Sequence, residues 1–146
     1  MTSQLHSDVS INGLRLPPVL LRIMTEQRWR SAPESLVRRV FRENPVRLVL
    51  HDLAEMRRAN AQWLEETNPA FFGHADEKLP PGDIDRTRSV IIGGLGPDLP
   101  FALDYRASME RPSVLYLHSG GDRWIRIARD VDELLSRLRL DARRPA

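Results

Sequence analysis

Four short β-like runs between residues 89 and 127 constrain the fold more than any other feature of the chain. Ser89-Val90-Ile91-Ile92, Phe101-Ala102-Leu103-Asp104-Tyr105, Ser113-Val114-Leu115-Tyr116-Leu117 and Trp124-Ile125-Arg126-Ile127 start about ten to twelve residues apart. Turn residues separate them: Gly93-Gly94-Leu95-Gly96-Pro97-Asp98, then Glu110-Arg111-Pro112, then Ser119-Gly120-Gly121-Asp122. A parallel pair needs a crossover long enough for a helix, and these gaps leave no room for one. The spacing therefore predicts an antiparallel meander.

Before the meander the apolar period is helical. Leu16-Pro17-Pro18 opens a run in which Val19, Leu20, Ile23 and Met24 share a face, which predicts a helix over 17–26. Leu36, Val37, Val40 and Phe41 give a further helical turn over 34–42. Asn44-Pro45 reads as a helix start, and Val46, Val49, Leu53, Met56, Ala59 and Trp63 recur at steps of three and four. That periodicity predicts a helix over 45–65, ended by Thr67-Asn68-Pro69. Phe71 to Arg86 is the least regular stretch and is broken by Pro80-Pro81-Gly82, so it reads as a surface excursion. After the meander, Asp130 and Glu133 form a variant capping box, and Val131, Leu134, Leu135 and Leu138 form the buried stripe of a closing helix. The expected fold is α+β: a mostly antiparallel sheet of about four to six strands against N-terminal helices and one C-terminal helix. Residues 1–13 are read as a loose tail, 14–141 as one domain and 142–146 as a second tail.

Composition narrows the function classes. The 146 residues are 41% hydrophobic and 29% charged, a mixture that supports one packed domain and argues against disorder. There is no cysteine, which removes disulfides, thiolate catalysis and thiolate-bound zinc. No apolar run is long enough for a transmembrane helix, and Met1 to Gly13 lacks the pattern of a secretory signal, so the cytoplasm is the expected location. The sequence pI of 9.6 overstates the basic character, because the formal net charge is only +2 and Lys78 is the one lysine. Charge changes sign along the chain: eight arginines face four acids in residues 1–50, and nine acids face five bases in residues 51–100. This is a mildly dipolar surface, not the footprint of a nucleic-acid binder.

The search for chemistry yields little. His6, His51, His74 and His118 have no ligand-type partner at metal spacing, with His51 read as a surface or half-buried position on the helix. Asp83-Ile84-Asp85 resembles a divalent-ion pair, but a solvated loop that caps a strand is the favoured reading. Gly93-Gly94-Leu95-Gly96-Pro97 lacks the Gly-Lys-Ser/Thr ending of a phosphate loop and reads as a strand connection. His118 and Ser119 would point to opposite faces of a strand, and no nucleophile elbow is present. Asp104 and Arg106 share a strand face and read as an ion pair or loop tether before they read as a site. Trp124 reads as core before it reads as an exposed rim.

Taken together, Ile91-Ile92-Gly93-Gly94-Leu95-Gly96-Pro97-Asp98, Phe101-Ala102-Leu103-Asp104-Tyr105-Arg106, Pro112-Ser113-Val114-Leu115-Tyr116-Leu117-His118, Trp124-Ile125-Arg126-Ile127-Ala128 and Val131 to Leu138 resemble, in order and spacing, the SUKH superfamily. That superfamily includes yeast cell-wall assembly regulators and many bacterial immunity proteins. Leu16-Pro17 is similar to the opening of the family's first helix. Gln27-Arg28-Trp29-Arg30 stands where an Asn-Gly pair often follows, and the Asp76 to Thr87 excursion is not a standard feature. The resemblance covers about residues 14–141. It implies an α+β domain that binds protein, without catalysis or cofactor.

The resemblance implies, first, an immunity protein that neutralises a cognate toxin such as a nuclease or deaminase. Its partner-binding candidates are Asp83, Asp85, Asp98, Asp104, Arg106 and Trp124. The acidic middle of the chain, with Glu65, Glu66, Asp76, Glu77, Asp83, Asp85 and Asp98, would suit a nuclease target. A regulatory interaction protein without a toxin is the alternative. A metal-dependent hydrolase or nuclease using Asp83, Asp85 and a histidine is the least favoured of the three. No membrane or direct nucleic-acid partner is expected.

Overall fold

In the computed structural model, which describes residues 9–26, 34–41, 49–95, 99–118 and 123–140, the four β-like runs form the expected meander. Strands β4 (Ser89–Gly94), β5 (Pro100–Asp104), β6 (Ser113–Leu117) and β7 (Trp124–Ala128) pair in sequence order, all antiparallel. The sheet has a fifth member, the two-residue strand β3 (Val49–Leu50), on the outer edge of β4. The order is therefore β3-β4-β5-β6-β7. The chain is α+β, with four helices among the described residues: α1 (Pro18–Glu26), α2 (Glu34–Phe41), α3 (Leu53–Glu65) and α4 (Val131–Arg137).

The strands read as nearly unbroken apolar runs because both faces of the sheet are covered. Successive side chains on a strand alternate faces. Val90, Ile92, Phe101, Leu103, Val114 and Tyr116 belong to the larger core, which also takes in Leu20 and Ile23 of α1, Val37 and Phe41 of α2, and Leu134 and Leu135 of α4. The intervening Ile91, Ala102, Leu115 and Leu117 belong to a second core with Trp124, Trp63 of α3 and Ile84. Aromatic contacts fix both layers. Phe41 meets Phe101 at 5.5 Å and Tyr116 edge-on at 5.6 Å. Trp63 meets Phe72 at 5.1 Å and Trp124 at 6.1 Å.

Two expectations need correction. The helix expected over 45–65 starts only at Leu53, because Val49 and Leu50 pair with Gly94 and Gly93 of β4. Helical spacing could not separate Val49 from the apolar positions that follow it. The start is set by Asp52, whose carboxylate accepts the Glu55 N–H at 2.8 Å while Glu55 accepts the Asp52 N–H at 3.0 Å. Asn44-Pro45, the start expected from the sequence, lies outside the described residues. The strand can approach because Gly93 has no side chain: a Cβ there would stand 2.1 Å from the Val49 carbonyl oxygen.

The second correction concerns the N-terminal tail. Its last residues belong to the fold: β1 (Ser10–Ile11) and β2 (Leu14–Arg15) form a hairpin. Asn12 and Gly13, at φ 53° and 82°, supply the two left-handed residues that a tight two-residue turn requires. Ile11 is 1% exposed. The strands are too short for alternation to reveal them, and Asn12-Gly13 was the signal present. The hairpin docks on α3 through Asn12 Nδ2 to the Asn60 carbonyl at 3.4 Å and Arg57 Nη1 to the Ser10 carbonyl at 3.3 Å. The Tyr105 hydroxyl donates to the Arg15 carbonyl at 2.6 Å and ties the hairpin to the end of β5.

The closing helix begins as expected, with Asp130 accepting the Glu133 N–H at 2.8 Å and Glu133 accepting the Arg129 N–H at 2.7 Å. It ends in a Schellman arrangement: Leu140 N–H reaches Leu135 O at 2.7 Å and Arg139 N–H reaches Ser136 O at 3.0 Å. No described helix is long and apolar enough to cross a membrane.

Candidate functional site

Three of the polar residues singled out in the sequence, Asp83, Asp104 and Arg106, converge at one corner of the second sheet face, where β5 ends. Asp104 is the last residue of β5, on the same face as Ala102, and is buried. Tyr105 turns to the other face, and the Arg106 side chain returns over Asp104. Arg106 Nε donates to Asp104 Oδ1 at 3.0 Å and Nη2 to Oδ2 at 3.2 Å, a two-pronged pair. The same guanidinium reaches across to the 69–86 segment, with Nη1 on Asp83 Oδ1 at 2.9 Å and Nη2 on the Asp83 carbonyl at 3.0 Å. Burial alone would disfavour the guanidinium charge, but the bonds to Asp104 and Asp83 outweigh it and raise the Arg106 pKa.

The tether reading of Asp104 and Arg106 is therefore what the geometry shows, and it recruits Asp83 as a third member. Trp124 is fully buried, so it is core and not a rim contact. Its indole N–H donates to the Phe71 carbonyl at 2.9 Å. Its backbone exchanges two bonds with Gly82, at 3.1 and 2.9 Å, so the excursion 71–86 is stitched to the edge of β7. Asp85 turns away from Asp83. Its carboxylate accepts the Thr87 hydroxyl at 2.6 Å and the Thr87 N–H at 2.9 Å, capping the short turn Arg86–Arg88 that leads into β4. The Thr87 hydroxyl bond is the main reason that the Asp85 pKa lies below the usual carboxylate value. Asp98 lies outside the described residues.

No three His, Asp or Glu side chains converge as a metal-ion site among the described residues. Asp83 is engaged by Arg106 and Asp85 by Thr87, so the acidic pair does not share a focus. His51 sits between β3 and α3, not on the helix, with its N–H on the Ile92 carbonyl at 2.9 Å. Gly93 and Gly94, expected in the connection between strands, are instead paired residues at the end of β4, because β3 lies close against a backbone without side chains there.

Sequence reasoning missed Asn60, which is fully buried. Its Nδ2 donates to the Ile91 carbonyl at 2.9 Å, and its Oδ1 accepts the Ile91 N–H at 2.8 Å. The side-chain amide thus does for β4 what a neighbouring strand would do beyond the short β3. The available signal was a polar amide one step from the apolar face of a helical run. Around the corner, Glu65, Glu77, Lys78 and Leu79 are exposed, with Leu79 at 62% the most exposed large apolar residue among those described. Compared with family models, curated proteins and solved structures, the chain matches none of them.

Proposed function

We propose that this chain is a non-catalytic protein-binding module, and specifically an immunity protein that neutralises a cognate toxin such as a nuclease or deaminase. The observation that carries the reading is the use of the candidate carboxylates. Asp83 and Asp104 hold Arg106, and Asp85 holds Thr87, so each serves to fix the 71–86 segment and the end of β5. Chemistry-bearing residue types are thereby committed to shaping a surface. The glycine-rich end of β4, β5 with Tyr105 and Arg106 just beyond it, β6 and the Trp124 strand β7 lie side by side in one sheet that packs on the closing helix α4, an order that supports the SUKH resemblance.

The surface offered is the fixed 71–86 segment and the adjoining end of α3. Arg86 donates to the Glu66 carbonyl and joins the two. Glu65 and Glu77 are exposed there, and such a surface suits a toxin with a basic, phosphate-binding cleft. A surface held in place before binding loses less freedom on association. The test is growth rescue in co-expression with the product encoded immediately upstream. The wild-type chain is expected to restore growth, and Glu65→Arg with Glu77→Arg to weaken the rescue. Failure of rescue by the wild-type chain would remove the toxin reading.

A further inference from the structure

We propose that residues 72–84, clasped to the edge of β7 in the predominant folded state, form a self-closed loop that opens as a unit in a minor population while the sheet stays folded. The loop closes on itself at its neck, where Ile84 N–H bonds the Phe72 carbonyl at 3.1 Å and Gly73 bridges Asp83. Inside it, Asp76 N–H bonds the Pro81 carbonyl at 3.0 Å, and the Asp76 carboxylate accepts the Lys78 and Leu79 N–H groups at 2.9 and 3.2 Å. Gly82, at φ +77°, packs so close to His74 and Asp76 that a Cβ there would stand 2.3 Å from the His74 carbonyl oxygen. The loop thus keeps its shape from its own contacts.

Its hold on the body is slight by comparison. Two backbone bonds join Gly82 to Trp124, and Arg106 holds Asp83 by two more. Its apolar anchors both sit at the neck, where Ile84 is buried and the half-buried Phe72 ring packs on Trp63 at 5.1 Å, whereas Leu79 between them is exposed. By contrast, every residue from Phe101 to Asp104 is buried, and β5 pairs on both sides. Segments with few buried apolar contacts and partly exposed hydrogen bonds open at lower free energy than the core. Release of the clasp would free the Trp124 N–H and carbonyl on β7, the outermost strand of the meander. This inference concerns the chain by itself, and its test needs no partner.

The test is native-state hydrogen exchange on the full chain, read at single amides by NMR, in low denaturant. The Gly82 and Trp124 amides, both in the clasp, are expected to exchange at least tenfold faster than the Ile91 amide held by Asn60, with little dependence on denaturant. Asp83→Ala is expected to speed Gly82 and Trp124 about tenfold further and leave Ile91 unchanged, since it removes a charge-assisted bond at the clasp alone. Exchange of Gly82 and Trp124 at the Ile91 rate, with the same denaturant slope, would overturn the proposal. That comparison uses the wild-type chain, so it stands even if the variant folds poorly. An equal speeding of all three amides by Asp83→Ala would count against it as well.

Discussion

Asn60 replaces a strand with a side chain, and its loss would leave the buried Ile91 N–H and carbonyl without partners. Asn60→Ala is expected to cost about 2–4 kcal/mol, measured by denaturant unfolding, because buried unpaired backbone groups carry their full desolvation penalty. Arg139 gives the opposite sign. It occupies the left-handed position after α4, at φ 59°, where glycine is the residue of choice. Arg139→Gly is expected to raise stability by about 0.5–1 kcal/mol in the same measurement. His51 brings a pH dependence. Its imidazole is half-buried, and burial lowers its pKa despite the opposing pull of Glu55 and Asp52. The folded chain therefore binds this proton less readily than the unfolded chain. Its stabilising effect is present above the unfolded value near 6.5 and is lost as pH falls through the lowered folded value. Unfolding curves at about pH 7.5 and about pH 5.5 are expected to show a stability loss that His51→Gln reduces.

Among the elements, β3 rests on the narrowest condition. It is two residues long, and it fits against β4 only because Gly93 has no side chain. Gly93→Ala would drive a Cβ into the Val49 carbonyl and the Phe101 ring, at 2.1 and 2.8 Å. The expected cost is about 1–3 kcal/mol, typical of an overpacked site. Faster exchange of the His51 amide, which bonds the Ile92 carbonyl, would report that β3 has come away. Elements of this kind were the hardest to read from the sequence. The meander and the helices α1, α2 and α4 were legible because each repeats a period over several residues or carries its own cap. β3 and the β1–β2 hairpin offer two residues per strand, too few for a period, and β3 was absorbed into the helix that follows it. The excursion 71–86 was recognised as irregular, but its attachment depends on backbone bonds from Gly82 to Trp124, about forty residues apart in sequence. No local pattern encodes such a contact.

At the scale of the whole molecule, the sheet separates two packed layers. One side is closed by α1, α2 and α4 over the larger core, with the hairpin packed into it. The other is closed by α3 and the 71–86 segment over the two tryptophans. The candidate site was half legible in the sequence. The pairing of Asp104 with Arg106 is legible from their spacing of two, although Arg106 lies just beyond the end of β5 and not on the strand itself. Asp83 as the third partner was not legible, because the loop's path over β5 is a tertiary outcome. On the proposed function, this shaped surface binds a toxin and neutralises it. The most direct test is to purify the tagged chain from its own host and measure whether a stoichiometric partner co-purifies and regains toxic activity once separated. One such partner is expected, its nuclease, deaminase or other toxic activity suppressed at equal molar ratio by the purified chain. Co-purification of non-toxic partners alone, or a hydrolytic activity of the chain itself that requires a divalent ion, would contradict it.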